Sequence, residues 1–424
     1  MKLKIKIVDR YEGKIMNNVL WISFRVPYDG VAHAGGKIHN FYLKRLFAEK
    51  KCNIKIISFY NDYDIGKIDV EKYGIDAKLI NSSKIETNVS KMKLLASRMY
   101  SVSGVNFYLD LVTRKMCKKA LIELKKLSNS GYSPDVVILQ WTQIIAMFPE
   151  VKKYFPSSKF ILIEEDVTFL AAQRRKELAS SWLKKAYFER EKKCIKKIEK
   201  HCLENSDLVI LNNRKDEKLL DQNGISAKTW VWTPYFQNMI DIKRSSSINK
   251  DIIFYGAMNR PENWMSAIWF IDNVFDKLKG DGYRFIVIGN KPNEKLLKYN
   301  DDQTIKVLGF VDDVAPYFEN SLCMVAPLLL GAGVKIKILE GMSSGIPVLT
   351  NSIGIEGIYA EDGKEYFYCD KAENYIEAIK KLNSSPVTGV EIGEHAKQFI
   401  RSNYNFYKDS DDFCKIIMEL IESK

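Results

Sequence analysis

The sequence predicts an α/β chain built from two successive Rossmann-type arrays, and three observations carry that prediction. Short apolar runs of strand length recur at 18–23, 54–58, 136–140, 160–163 and 208–211, separated by helix-length amphipathic segments. Runs of this kind read as strands buried on both faces of a parallel sheet. The alternation then breaks at a polar stretch and restarts at 252–256, continuing through 285–288, 307–310 and 323–327. Finally, 424 residues that are 46% hydrophobic suffice for two domains, each with its own core.

Taken in order, residues 2–8 alternate Lys with Leu or Ile, as an edge strand would. The run 18–23 leads through a polar loop to Ala34, Gly35 and Gly36, after which Ile38, Tyr42, Leu43 and Leu46 recur at helical spacing. Strand, glycine turn, helix and the next strand at 54–58 complete a βαβ unit in the order used to bind mononucleotides. Between 81 and 110 basic and apolar residues interleave, which reads either as a surface-docking insertion or as a core helix. The trio Glu164, Glu165 and Asp166 follows the run 160–163, and the carboxyl edge of an open α/β sheet is where ligands bind. An N-cap role for Asp166 is the competing reading.

Charge and cysteine usage narrow the class further. The formal net charge is +12, and between Arg174 and Lys200 eleven Lys or Arg face four Glu in a helical pattern. Such a face suits an anionic membrane, an acidic substrate or nucleic acid, or else is simply a solvated surface. No recognised nucleic-acid module accompanies it. Seven cysteines without CxxC spacing indicate a reducing compartment, and the four scattered histidines indicate no metal site. No signal-peptide pattern or spanning run is present, so the expected location is cytoplasmic or peripheral on the inner face of a membrane.

The stretch 230–250 reads as an interdomain connection, with 236–250 as linker between domains at 1–235 and 251–404. Beyond it come a loop at 259–263 and a helix carrying Trp264, Ile268, Ile271 and Phe275. A glycine loop then opens at Gly331 and Gly333, and a short helix bears Lys335, Lys337 and Glu340 before Gly345 and Pro347 stop it ahead of a buried strand. Lys337 and Glu340 lie one turn apart, clear of the ridges formed by Ile336, Ile338, Leu339 and Met342. A helix N-terminus already favours an anion, two lysines add full charge there, and a phosphate is the indicated guest. A solvated charged face is the alternative. The last helix, 409–423, presents Phe413, Ile416, Ile417 and Leu420 on one stripe and needs a partner surface.

With these residues in view, the second half resembles bacterial glycosyltransferase family 4. That signature is a Gly-x-Gly-x-Arg/Lys-x-Lys-x-Leu-Glu helix, Gly-x-Pro-Val, and a tail that reads here from Thr350 to Gly354, Glu356 and Gly357. The likeness extends to Tyr255 and Gly256, to Arg260 through Asn263, to Gly309 through Asp313, and loosely to Gly35 and Gly36. It implies the GT-B architecture: two Rossmann-like domains, an interdomain cleft, and a C-terminal helix, 405–424, crossing back to the N-terminal domain. It further implies that Lys335 and Lys337, with Arg260, hold the diphosphate of a nucleotide-sugar and that Glu340 pairs with the ribose. Gly309, Phe310 and Val311 would flank the base; Gly256, Gly331 and Gly333 would line the donor site; Gly35 and Gly36 would let backbone approach the diphosphate or sugar.

The implied activity is retaining transfer of a hexose from a UDP- or GDP-sugar to a glycan, lipid-linked or protein acceptor in bacterial surface polysaccharide synthesis. No metal or other cofactor is implied, because lysine charge neutralises the leaving group. The sequence departs from the family at the residue eight before Glu340, where the usual carboxylate is replaced by Ala332. Asp166, with Glu165 as runner-up, is the candidate to meet a sugar instead. The departure also motivates a second hypothesis, a catalytically impaired GT-B-like accessory subunit that binds acceptor or a partner transferase; a nucleotide-sugar epimerase fits the lysine motif poorly.

Overall fold

The computed structural model describes residues 17–31, 34–86, 90, 92–93, 96, 111–165, 167–331 and 333–423. The expected edge strand at 2–8, Asp166, Ala332 and most of 87–110 lie outside the described residues. The chain divides into two compact units, one formed by 1–235 with 406–424 and the other by 236–405.

The first unit is built on β1 (Asn17–Ser23), β2 (Cys52–Tyr60), β3 (Asp76–Asn81), β4 (Val136–Gln140), β5 (Lys159–Glu164), β6 (Leu208–Leu211) and β7 (Thr229–Val231). They form one parallel sheet in the order β3-β2-β1-β4-β5-β6-β7. Chain direction reverses its progress across the sheet between β1 and β4, and such a switch point leaves a crevice at the carboxyl ends of the two strands. The central strands are buried along their apolar runs, β4 throughout and β1 from Val19 onward. On one face Leu20, Val137, Leu139, Phe148, Phe160, Leu162 and Val209 form a single core cluster.

The other face takes the last helix, Phe406–Glu422. Phe413 is fully buried and packs edge-on against Trp21, Tyr42 and Trp232 at 6.0, 5.7 and 5.7 Å, while Tyr42 stacks on Trp232 at 4.0 Å. Asp409 accepts the backbone N–H of Thr233 at 2.7 Å, and Ser410 accepts from Arg45 Nε at 3.1 Å. The apolar stripe that lacked a partner in the sequence therefore completes the first unit.

The second unit repeats the plan with β8 (Asp251–Tyr255), β9 (Arg284–Ile288), β10 (Ile305–Gly309), β11 (Cys323–Ala326), β12 (Val348–Thr350) and β13 (Phe367–Tyr368). Its parallel order, β10-β9-β8-β11-β12-β13, places the switch point between β8 and β11. The glycine loop reads as expected: the helix Ile336–Ser344 ends on Gly345 in the left-handed conformation, φ 79°, and runs into β12.

Several expectations are corrected. Gly35 and Gly36 are in the first turn of the helix Ala34–Ala48 and not in a turn ahead of it. Phe275 lies in a separate 3-10 turn, Phe275–Lys277, beyond the helix Pro261–Asn273. The basic pattern 174–200 is two helices, Thr168–Leu178 and Trp182–Glu204. The supposed linker 236–250 is no linker. Phe236 is fully buried, the N–H groups of Gln237 and Met239 donate to Glu340 and Ser343, and Lys397 Nζ donates to the Ile242 carbonyl at 2.6 Å. These bonds tie an apparently polar stretch into the second unit. Polar composition marks a linker only when its backbone has no partners.

Candidate functional site

In the second unit, the switch-point crevice is where the charged residues gather. β8 is followed by Gly256, whose φ of 154° is a glycine conformation, and a Cβ built there would lie 3.1 Å from both Lys337 Nζ and Asn263 Nδ2. The glycine thus leaves room for the tip of Lys337. That ammonium donates to Asn263 Oδ1 and sits 5.1 Å from the centroid of Phe254. Asn263 is held in turn by donating Nδ2 to the Ala257 carbonyl at 2.8 Å. Desolvation lowers the Lys337 pKa to about 7, with Arg260 and Lys335 lowering it further while Glu262 and Glu340 raise it. The same five groups therefore share one electrostatic site.

Lys335 stands just before the first helical residue with extended backbone and no side-chain cap. Its Nζ donates to the Gly333 carbonyl at 2.5 Å and approaches Glu356 at 3.4 Å, with both side chains largely buried. Gly331, φ 131°, accommodates its stem, since a Cβ there would lie 3.0 Å from Lys335 Cε. The loop after β12 delivers Glu356. Thr350 donates to the Ala326 carbonyl at 2.7 Å, Asn351 donates to Leu328 at 2.8 Å and accepts from Gly354 N–H at 3.1 Å. Glu356 entered the sequence reading only as part of a motif tail, and its role beside Lys335 is a finding of the fold.

The other expected donor-site residues differ in exposure. Arg260 is exposed and paired with Glu262 at the start of the helix Pro261–Asn273. Gly309 closes β10 with φ 72°, and the ring of Phe310 beside it is 69% exposed, with Val311 half-buried. Glu340 is buried and accepts the Gln237 N–H at 3.2 Å, so its carboxylate is anchored rather than swinging in solvent.

The first unit has its own polar cluster at the carboxyl ends of β4, β5 and β6. Gln140, fully buried, accepts from Trp21 Nε1 at 3.0 Å and donates to Glu165 Oε1 at 2.7 Å. Asn212 donates to Glu165 Oε2 at 3.0 Å while accepting from Trp232 Nε1 at 2.6 Å. A Cβ on Gly35 would meet Glu165 Oε2 at 3.1 Å and Trp141 at 3.4 Å. A carboxylate of the protein itself thus lies beside the first turn of this helix, which suits the positive end of the helix dipole. Trp141 holds a φ of 72°, a strained value for a bulky residue. Neither Gln140, Trp141 nor Asn212 was singled out from sequence; their position directly after buried strand runs was the available signal. Of the acidic trio, Glu164 bonds inward to Thr142 at 2.7 Å and Glu165 faces the cluster.

Residues 249–385 match the family described as Glycosyl transferases group 1. An uncharacterized 44.6 kDa protein from the cps region of Klebsiella pneumoniae is 24% identical over 241 residues, covering 54% of this chain and 61% of the relative. The match thus spans about three fifths of that relative's length. Among solved structures, sucrose-phosphate synthase from Thermosynechococcus elongatus superposes with a TM-score of 0.66 at 13% identity over 96% of this chain and all of that one. HepE from Anabaena, solved with UDP, gives 0.64 at 12% identity over 95% of this chain and all of the other. At such identities the likeness establishes the fold, which is GT-B.

Proposed function

We propose that this chain, which carries the group 1 glycosyltransferase match in its second unit, is a retaining family 4 enzyme that transfers a hexose from a UDP- or GDP-sugar. The observation that carries the reading is the pairing of Lys335 and Lys337 at the start of one helix, beside the switch point, with Glu340 a turn further on. Fixed cations there match a diphosphate, and a carboxylate anchored one turn on matches a ribose diol. That HepE was solved with UDP and with UDP-glucose supports a uridine donor.

In the reaction the bond from the sugar C1 to the β-phosphate oxygen breaks, its electron pair staying on that oxygen. The acceptor hydroxyl oxygen bonds to C1 on the same face, and its proton passes to the departing phosphate. Lys335 and Lys337 stabilise the charge that develops on the diphosphate, where one well-placed group is worth about 3 kcal/mol. They take the role a metal plays elsewhere, and turnover in excess chelator is expected to be unchanged. Glu165, held by Gln140 and Asn212, is the carboxylate of the first unit assigned to a sugar hydroxyl; Asp166 keeps that role as the sequence-based alternative. The cps-region relative supports a place in surface polysaccharide synthesis; the glycan or lipid-linked acceptor and the cytoplasmic face of the membrane are carried over from the family resemblance.

A panel of nucleotide-sugars tests the reading by thermal shift and by release of free nucleotide. A shift with one nucleotide and slow hydrolysis of one of its sugars is the expected result. A shift without turnover under any acceptor would favour the accessory-subunit reading that Ala332 motivates, and no response to any nucleotide would overturn both.

A further inference from the structure

We propose that the tip of the hairpin formed by the helices Thr168–Leu178 and Trp182–Glu204 docks this protein on an anionic lipid surface, with Trp182 and Leu183 entering the headgroup layer. The inner stripe of the longer helix is fixed: Ile195, Glu199, Cys202 and Leu203 are buried in the first unit. On the opposite stripe, at helical spacing, lie Trp182, Leu183, Ala186, Arg190, Lys193 and Lys197, all exposed. The first five residues of the helix are exposed whichever way they point, so its end projects from the surface. Trp182 is 75% and Leu183 61% exposed, with Lys184 and Lys185 directly following.

Two acidic residues of this helix reach across to the neighbouring one. Glu189 binds Lys176 at 2.9 Å and Glu191 binds Arg175 at 3.3 Å, both on the neighbouring helix, and Glu189 lies a longer 3.8 Å from Lys193. The outward stripe thus holds an apolar end followed by three cations over roughly 20 Å of helix. Laid flat, it puts an indole at the depth such rings prefer and cations against phosphates. Apolar and cationic groups interleave at its end instead of forming the contiguous apolar patch of a protein interface.

The test uses the full chain and flotation with vesicles of phosphatidylcholine, with or without phosphatidylglycerol. Binding is expected only to the anionic vesicles and to weaken as salt rises. Replacing Arg190→Glu and Lys197→Glu together should lower it by more than about 25-fold, at about fivefold per lost cation. Replacing Trp182→Ala and Leu183→Ala together should lower it at least about tenfold. Brominated lipid should quench a part of the emission that Trp182→Phe lacks. These side chains are exposed, so unchanged melting and an unchanged nucleotide-induced shift certify each variant as folded and keep this test separate from that of the transferase reading. Absence of binding at low salt, or binding that none of these changes weakens, would overturn the proposal. So would self-association in sedimentation velocity that Trp182→Ala abolishes, because the surface would then serve a second copy of the chain.

Discussion

Replacing Lys337→Met tests the proposed donor site most sharply, because the burial of this one cation predicts both an effect on affinity and its pH dependence. A hydrogen bond from an ammonium to a phosphate contributes about 1.5–3 kcal/mol, or roughly 10- to 150-fold in affinity. That contribution is complete only when Lys337 is charged. With its pKa lowered to about 7 by desolvation, the empty site holds a mostly protonated lysine at pH 6 and about one-tenth protonated at pH 8. A diphosphate restores the charge, so binding at pH 8 takes up close to one proton and is weakened by about 1.4 kcal/mol relative to the charged site. Isothermal titration with the responding nucleotide, in buffers of different ionisation enthalpy, reads both quantities. The wild type should lose about tenfold in affinity between pH 6 and pH 8 relative to the variant, whose curve supplies the nucleotide's own titration. Loss on substitution should be roughly 10- to 150-fold at pH 6 and roughly 1- to 15-fold at pH 8. Equal affinity and equal pH dependence of the two proteins would refute the assignment of this cation to the diphosphate.

Glu340→Ala should erase discrimination between a ribonucleotide and its 2′,3′-dideoxy analogue, which competition binding measures; retained discrimination would move the ribose elsewhere. Phe413→Ala empties a site packed by four aromatic rings, of Trp21, Tyr42, Trp230 and Trp232, and should cost about 3–5 kcal/mol in denaturant unfolding of the first unit, while nucleotide binding by the second persists. Glu199 is buried, and desolvation raises its carboxyl pKa well above the ordinary value even though Thr168 and Phe169 N–H groups donate to it. A raised folded-state pKa contributes stability that is present at acid pH and lost as pH rises through the neutral range. The melting temperature of the first unit should therefore fall over that range, and Glu199→Gln should flatten the slope; an unchanged slope would refute the assignment of this pH dependence to Glu199.

Much of the second unit was legible because its signals are local. A glycine required by positive φ, a helix that opens beside its two lysines, and a Gly-x-Pro stop are all set within twenty residues, and Gly331, Gly333, Lys335, Lys337, Glu340 and Gly345 lie as that spacing demands. Strands β3, β7 and β13 went unread for the opposite reason. They sit near or at the sheet edges, where burial is partial and an apolar run is not enforced. The misread linker shows the same limit from another side: Gln237 and Met239 are held by Glu340 and Ser343, about a hundred residues away, and no window of sequence contains both partners. Gln140, Trp141 and Asn212 escaped notice because their chemistry appears only when three strand ends are brought together.

The contrast between the two strand-end clusters bears on how the chain divides its work. In the first unit Glu165 is held by two side-chain amides, each fixed by a tryptophan N–H, so the group is rigid and its bonds are mutually oriented. In the second unit Lys337 rests on one asparagine and an aromatic face, and desolvation leaves its charge incomplete until an anion arrives. A rigid acceptor of hydrogen bonds suits discrimination among hydroxyl patterns, since a misplaced hydroxyl leaves buried partners unsatisfied at about 1–3 kcal/mol each. A cation that is completed by its ligand suits the diphosphate, because its stabilisation grows with the negative charge beside it and is therefore greatest as the sugar bond breaks. Sugar selectivity should accordingly respond to Gln140→Ala and Asn212→Ala, and turnover to Lys337→Met, and steady-state kinetics with paired donors and acceptors separates the two.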